Sequence, residues 1–221
     1  MASPFVVRKQ VVECARKMYQ RGFLAGTDGN LSVRLDDDRI LISPSGVAKG
    51  EMAPEDMVIV DINGKHLQGS RQASSEILMH LACYQQREEI RACIHSHAPF
   101  CTAFAVAGIH LQEDILPEVV LFVGGIPLVD YAAPGTDDVP RALAPHLAEN
   151  SAFLLRNHGL LTAGRSLDEA WHRHETVEHY ARIMHLARQL GNVDAIPSDD
   201  FRRLEQMRSR LDQVWAGKNQ G

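Results

Sequence analysis

Long hydrophobic runs are missing from this 221-residue chain, and so is any block of basic residues. No apolar stretch approaches the roughly 18 residues that a membrane span needs, and MASPFVVRKQ meets Arg8 before a signal-peptide core could form. The expected location is therefore the cytoplasm. A net charge of −5, spread over segments of mixed sign, offers no positive stripe to a nucleic-acid backbone or an anionic membrane, and neither is expected as a partner. The cysteines, Cys14, Cys83, Cys93 and Cys101, contain no C-x-x-C pair and read as buried small hydrophobes in a reducing compartment. No G-x-x-x-x-G-K-[ST] string occurs, which removes the nucleoside-triphosphate loop from consideration. Repeats, low-complexity tracts and Pro/Gly/Ser-rich linkers are absent too, so residues 1–221 read as one domain. With 45% apolar and 23% charged residues, that domain can bury a continuous core.

The periodicity that is present mixes helices and hairpins. Ser3-Pro4 reads as a helix start, with Val7, Val11, Val12, Ala15, Met18 and Tyr19 on its inner face and Gly22 at its end. NLSVRL and RILIS flank an Asp-rich connection as a hairpin would, MVIVDI follows, and Asn63-Gly64 marks another tight turn. A helix is expected over 74–86, with Ser74 or Ser75 as its cap and Ile77, Leu78, Leu81 and Ala82 on one side. Further strands are expected at 90–97, 126–131 and 152–155. Helices are expected over 99–107 (closed by Gly108), 138–147 and 167–190, the last along Trp171, Val177, Ala181 and Met184. Ser198-Asp199 reads as the cap of a final helix. Hairpins grouped between helices favour an α/β layered domain over a parallel Rossmann sheet, with strand order left open.

Three histidines stand out. In His95-Ser96-His97 the alternation of a strand puts both imidazoles on one face, as two metal ligands require, although H-x-H alone also fits a surface strand end. His158, in Asn157-His158-Gly159, follows an apolar strand where Gly159 permits a tight turn; alone it is a turn residue, with the pair it completes a triad. Three imidazoles leave a coordination position open, the arrangement of a catalytic rather than a closed structural zinc site. Ser74-Ser75-Glu76 at a helix start offers unpaired N–H groups to an anion, or is simply a capped first turn. Gly26–Asn30 and Ser43–Gly46 are two further polar turns with donors suited to phosphate.

In order along the chain, GTDGNLSVR, ISPSG, SSEILMHLACYQ, IRACIHSHAPFCTA, YAAPGT and FLLRNHGLLTAG resemble the class II aldolase/adducin family, most closely its L-fuculose-phosphate aldolase branch, over roughly residues 5 to 190. The resemblance implies a single α/β/α layered domain around a largely antiparallel sheet, assembled as a homotetramer with the site near a subunit boundary. It implies metal ligation by His95, His97 and His158, with Glu76 as catalytic carboxylate and resting-state ligand, and substrate phosphate held by Asn30, Ser45, Gly46, Ser74 and Ser75. The implied cofactor is Zn2+, with Mn2+, Co2+ or Fe2+ as alternatives. The implied reaction is cleavage of a ketose 1-phosphate of the fuculose, ribulose, or deoxy- or methylthio-pentulose type to dihydroxyacetone phosphate and an aldehyde. Aspartate stands at the Glu76 position in the related pentulose-phosphate epimerases, which ranks epimerase below aldolase. A sugar-acid phosphate decarboxylase or a dehydratase of the same superfamily, and a non-enzymatic adducin-like module, are the alternatives.

One part of the pattern is missing. The branch draws a proton-donor tyrosine from the stretch between its second and third metal histidines, which here reads LQEDILPEVVLF and holds none; no tyrosine follows Tyr180 either. Glu118 is the nearest ionisable replacement, with Glu113 and Asp114 nearby. Tyr131 is assigned to packing of its strand end. His172, His174, His179 and His185 spread over different faces of one helix and are assigned to its surface or a subunit contact, and His80 and His110 receive no function.

Overall fold

The computed structural model of the chain describes residues 3–218, with side chains described through residue 213. Strand β1 (Asn30–Arg34) turns through the Asp-rich connection into β2 (Arg39–Ile42), and β3 (Val58–Asp61) and β4 (His66–Gln68) extend the antiparallel ladder outward. On its other edge β1 pairs with β5 (Ala92–Ser96), which pairs with β8 (Gly159–Gly164), then β7 (Ala152–Leu155), all antiparallel. A two-residue strand, β6 (Leu128–Val129), lies parallel to β7 at the edge. Among the described residues this gives one sheet in the order β4-β3-β2-β1-β5-β8-β7-β6, an α/β fold as expected.

Helices cover both faces. Leu31, Leu41, Ile59, Ile94, Leu154 and Leu160 point to the layer of α1 (Pro4–Gln20), α3 (Pro99–Ala107), α4 (Pro117–Phe122) and α6 (Leu167–Leu190). Their neighbours Ile40, Ile42, Val58, Val60, Cys93, Phe153 and Leu161 point to α2 (Ile77–Gln86) and α5 (Asp138–Leu143). Burial on both faces explains why MVIV, RACI and FLL read as continuous apolar runs rather than alternations. The last helix, α7 (Ser198–Lys218), lies against α4. All four cysteines are buried free thiols, as expected.

Several boundaries differ from those read off the sequence. The chain turns tightly through Ser74–Ile77, where Ile77 N donates to Ser74 O, so α2 starts only at Ile77 and neither serine caps it. The strand expected at 126–131 shrinks to β6, because Pro127 has no amide to donate and Asp130 is exposed. The helix expected to reach 147 ends at Leu143, since Pro145 cannot donate back to Arg141. Tyr19 is 51% exposed rather than on the inner face of α1. Ser198 and Asp199 lie inside the first turn of α7, where Phe201 N donates to Pro197 O, instead of preceding it. Strand β8 and helix α4 were not foreseen: the first is bounded by glycines, the second is one and a half turns long.

Candidate active site

The β1–β5 ladder builds the floor of the site. Asn30 lies opposite His95 and Ser32 opposite Cys93, so the side chains of Asn30, Ser32 and His95 share the face that α2 covers. Two residues further along the same register Asp28 comes opposite His97, just beyond the strand ends, and His97 Nδ1 donates to Asp28 Oδ2 at 3.2 Å. Ser96, between the two histidines, necessarily points the other way, into the α6 layer, where its hydroxyl meets His174 Nε2 at 2.6 Å. Glu178, also on α6, accepts from the amides of Phe100 and Cys101 at 2.9 and 2.8 Å and so satisfies the open first turn of α3 directly after His97.

His158 arrives from the β7–β8 turn. Asn157 takes the left-handed conformation there (φ 56°), so the turn that sequence reasoning gave to Gly159 belongs to Asn157. Gly159 is needed for another reason: a Cβ on it would sit 2.4 Å from Ser96 O, 3.0 Å from His97 Cδ2 and 3.2 Å from His95 Cε1. With that close approach the three rings converge, their centroids 4.6 Å (His95–His158), 5.2 Å (His97–His158) and 5.3 Å (His95–His97) apart. One ligand atom from each lies within 4.8 Å of the others.

The donor set fits a divalent cation. His95 Nδ1 donates to Leu160 O at 3.0 Å and His97 Nδ1 to Asp28, which fixes the proton of each ring on Nδ1 and leaves Nε2 with a free lone pair. Both Nε2 atoms are buried and without any hydrogen-bond partner. A buried nitrogen left unpaired costs about 1–3 kcal/mol, and two aimed at one point are what a metal site requires. Burial also pushes the His95 imidazole well below its usual range, which keeps it neutral as ligation demands.

Glu76, at the N-terminal end of α2, completes the cluster. Its Oε1 is 2.9 Å from His158 Nε2, and its Oε2 is 3.6 Å from His95 Nε2 and accepts from Asn30 Nδ2 at 2.8 Å. Burial by itself would raise this carboxyl, but the hydrogen bond to His158, the nearby His95 and the Asn30 amide outweigh it and bring it down to about 2. The group rests as a carboxylate.

The three polar segments singled out in the sequence are stitched together beside Glu76. Ser43 Oγ accepts from Leu31 N, Ser74 N donates to Ser43 O, and Ser45 N donates to Gln72 O. Ser45, Gly46 and Ser75 are exposed there, whereas Ser74 is buried. Lys49, which sequence reasoning passed over, is buried and donates from Nζ to Thr27 O (3.0 Å) and Val47 O (2.7 Å), tying the Gly26–Asn30 turn to the one after Gly46. Asn30 is buried, and its amide is shared between Glu76 and His80 rather than presented to solvent.

Other residues fall elsewhere. Within one chain Glu118 is exposed and lines a separate cavity of ≈ 610 Å³ with Phe23, Phe100, Glu178, His179 and Arg182, which none of the three histidines touches. Tyr131 does not pack a strand end; it is 60% exposed beyond β6. His172, His179 and His185 are exposed, but His174 is fully buried, a correction to its assignment to the surface. His80 is not idle either: it is buried against Asn30 and Ser32. A cavity of ≈ 800 Å³ lined by Arg87, Phe122, Arg173 and Arg208 is likewise remote from the triad, and its Arg165 and Arg173 are ion-paired to Glu169.

A family model described as the class II aldolase and adducin N-terminal domain matches residues 9–185. The 3-oxo-tetronate 4-phosphate decarboxylase of Escherichia coli (strain K12) is 35% identical over 182 residues, 80% of this chain and 85% of that one. The 5-deoxy-D-ribulose 1-phosphate aldolase of Bacillus thuringiensis serovar kurstaki (strain ATCC 35866 / NRRL B-4488 / HD73) is 32% identical over 199 residues, 89% of this chain and 92% of that one. Among solved structures, an L-fuculose 1-phosphate aldolase superposes with a TM-score of 0.85 at 30% identity, covering 93% of this chain and 96% of that one.

Proposed function

Because the chain belongs to the class II aldolase and adducin family, we propose that it is a metal-dependent carbon–carbon lyase, cleaving a ketose 1-phosphate to dihydroxyacetone phosphate and an aldehyde. The observation that carries this reading is the pair of buried, unpartnered nitrogens, His95 Nε2 and His97 Nε2, facing His158 and Glu76. A divalent cation held by the three imidazoles, zinc by the donor set with Mn2+, Co2+ or Fe2+ as alternatives, would supply Lewis-acid polarisation of the substrate carbonyl.

The chain's own groups do the rest. The exposed Ser45, Gly46 and Ser75, with the buried Ser74, receive the phosphate and hold the three-carbon half in register. Cleavage breaks C3–C4, leaves the electron pair on C3 in conjugation with C2, and releases the C4 hydroxyl proton as the aldehyde forms. Glu76, a carboxylate at rest, takes up a proton equivalent to the one released and gives it to C3, so protons balance, and in the reverse direction the carboxylate removes it.

The reading includes a homotetramer, in which Glu118, exposed and away from its own triad, serves a neighbouring subunit's site as the acid/base that the missing tyrosine would have been. Exposed Val106, Phe122 and Tyr131 supply apolar surface for such contacts. No helix among the described residues is long and apolar enough to cross a membrane, in keeping with the cytoplasmic location proposed.

The missing tyrosine favours a second reading. Loss of CO2 from a 3-oxo acid needs no base to deprotonate a departing hydroxyl, only an electron sink and a proton for the carbon left behind. A 3-oxo-tetronate 4-phosphate losing C1 in this way would also leave dihydroxyacetone phosphate, so the retained half and the work of Glu76 are the same in both reactions. The test is release of dihydroxyacetone phosphate by zinc-loaded and chelator-treated protein from a panel of ketose 1-phosphates and from the 3-oxo acid phosphate, with aldehyde and CO2 measured separately. Metal-dependent aldehyde release supports the aldolase, CO2 alone moves the assignment to the decarboxylase, and a metal-loaded protein that releases neither overturns both.

A further inference from the structure

A stripe of α2 faces a stripe of β1. Glu76, His80 and Tyr84, each four residues apart, lie on one side of the helix, over Asn30 and Ser32, two apart on the strand. Contacts link them in series: Glu76 Oε2 to Asn30 Nδ2 (2.8 Å), Asn30 Oδ1 to His80 Nε2 (2.5 Å), His80 Nδ1 to Ser32 Oγ (2.7 Å), and Ser32 Oγ to Tyr84 Oη (2.7 Å). Asn30, Ser32, His80 and Tyr84 are all buried.

The direction of every hydrogen bond follows from one fact. A carboxylate can only accept, so Asn30 must turn its NH2 to Glu76 and its oxygen to His80. His80 must then donate from Nε2, which makes Nδ1 an acceptor and obliges Ser32 to give it its only proton. Ser32 therefore accepts from Tyr84. For a neutral imidazole, the form that complete burial favours, no other arrangement satisfies the four contacts, and the ring proton lies on Nε2.

We propose that His80 is a positioning residue for Glu76. Held by Ser32 and Tyr84, its ring locks the Asn30 amide in the one orientation that engages Glu76 Oε2, which leaves Oε1 turned to the histidine triad at 2.9 Å from His158. Freed from His80, the Asn30 amide could flip and set its oxygen against the carboxylate, and the acid–base group would lose its aim. This deepens the reading of Glu76 as the proton-transfer group, and its first test does not depend on that reading.

In the zinc-loaded protein, 15N-edited NMR reports which ring nitrogen of His80 carries the proton and whether the Asn30 side-chain NH2 is slow to exchange. Protonated Nε2 with a protected amide is expected; protonated Nδ1 would overturn the proposal whatever reaction the protein catalyses. The kinetic test compares His80→Leu with His80→Gln, which keeps a donor for Asn30 and an acceptor for Ser32. His80→Leu is expected to lower kcat at least about 10-fold with KM and zinc content unchanged, and His80→Gln to recover to within about 3-fold of the wild type. Full activity in His80→Leu, or equal loss in both variants, would overturn it. Should His80→Leu fail to fold, Ser32→Ala removes the donor to Nδ1. A mixture of His80 tautomers with reduced kcat is then expected, and an unchanged tautomer with full kcat would count against the relay.

Discussion

The hydroxyl of Ser96 lies 2.6 Å from His174 Nε2, on the side of the sheet opposite to the histidines that flank it. Thr162 Oγ1 donates to Ala170 O and so accepts from His174 Nδ1, which leaves Nε2 to accept from Ser96. Helix α6 thus grips β5 through the residue between two candidate ligands. Replacing His174 with Leu leaves the buried Ser96 hydroxyl without an acceptor and takes a donor from Thr162, and a loss of about 1–3 kcal/mol in unfolding free energy is expected. Ser96→Ala in the same background should cost less than it does in the wild type. Urea titrations of the four proteins measure the coupling, and strict additivity would refute it.

Acid should destabilise this protein well above the carboxylate range. Burial brings His174 down to about 3 and His80 to about 4, from 6.5 in an unfolded chain. The unfolded state is then the better proton binder, so the stability due to these rings is complete above pH ~6.5, declines as the pH falls, and is exhausted near the folded values. Each ring contributes a slope of up to roughly 1.4 kcal/mol per pH unit. Urea midpoints from pH 7.5 to 5 should fall less steeply in His174→Leu than in the wild type, and parallel slopes would count against the assignment.

Asp28 should matter to metal binding although it touches no metal. Its carboxylate orients His97 through Nδ1, and loss of such a partner weakens ligation about 10–100-fold. Asp28→Ala is expected to raise the zinc dissociation constant by that factor in a competition titration with a chelator, while His97→Ala abolishes stoichiometric binding. An unchanged affinity in Asp28→Ala would show that His97 needs no such support.

Gly159 is expected to tolerate no side chain. The clash at 2.4 Å is with a backbone oxygen of β5, which cannot move without displacing His95 and His97. Gly159→Ala should lose about 1–3 kcal/mol of stability and most of its zinc, read by thermal melting and metal analysis. Normal zinc content in a folded Gly159→Ala would mean that the strands separate freely.

The triad was partly legible from local signals, H-x-H at the end of an apolar run and N-H-G after another, whereas Glu76, by itself only an acid in a capped first turn, was singled out by the family resemblance of SSEILMHLACYQ. Asp28, Lys49, His80 and His174 were not, since each acts through a partner 22 to 78 residues away that only pairing register and helix placement bring near. A trace of His80 was nevertheless present in the chain, as the polar spacing of Glu76, His80 and Tyr84 through an otherwise apolar helix, matched to Asn30 and Ser32 on a strand. The layered, largely antiparallel sheet followed from grouped hairpins. Helix α4 was too short to show a period, and the trimmed ends of β6 and α5 were set by prolines inside segments whose apolar pattern ran on.

Opposite residues of β1 and β5 have sequence numbers that sum to a constant, so Asn30 with His95 and Ser32 with Cys93 are alternate rungs of one ladder, and Asp28 with His97 continues the same register just beyond the strand ends. A single inserted or deleted residue near 28–32 or 93–97 would therefore act on the site like a frameshift, turning ligand, support and relay to the wrong face together. Loops at the far ends of the sheet carry no such constraint on length, whereas in these ten positions the register fixes the spacing as firmly as the chemistry fixes the ligands.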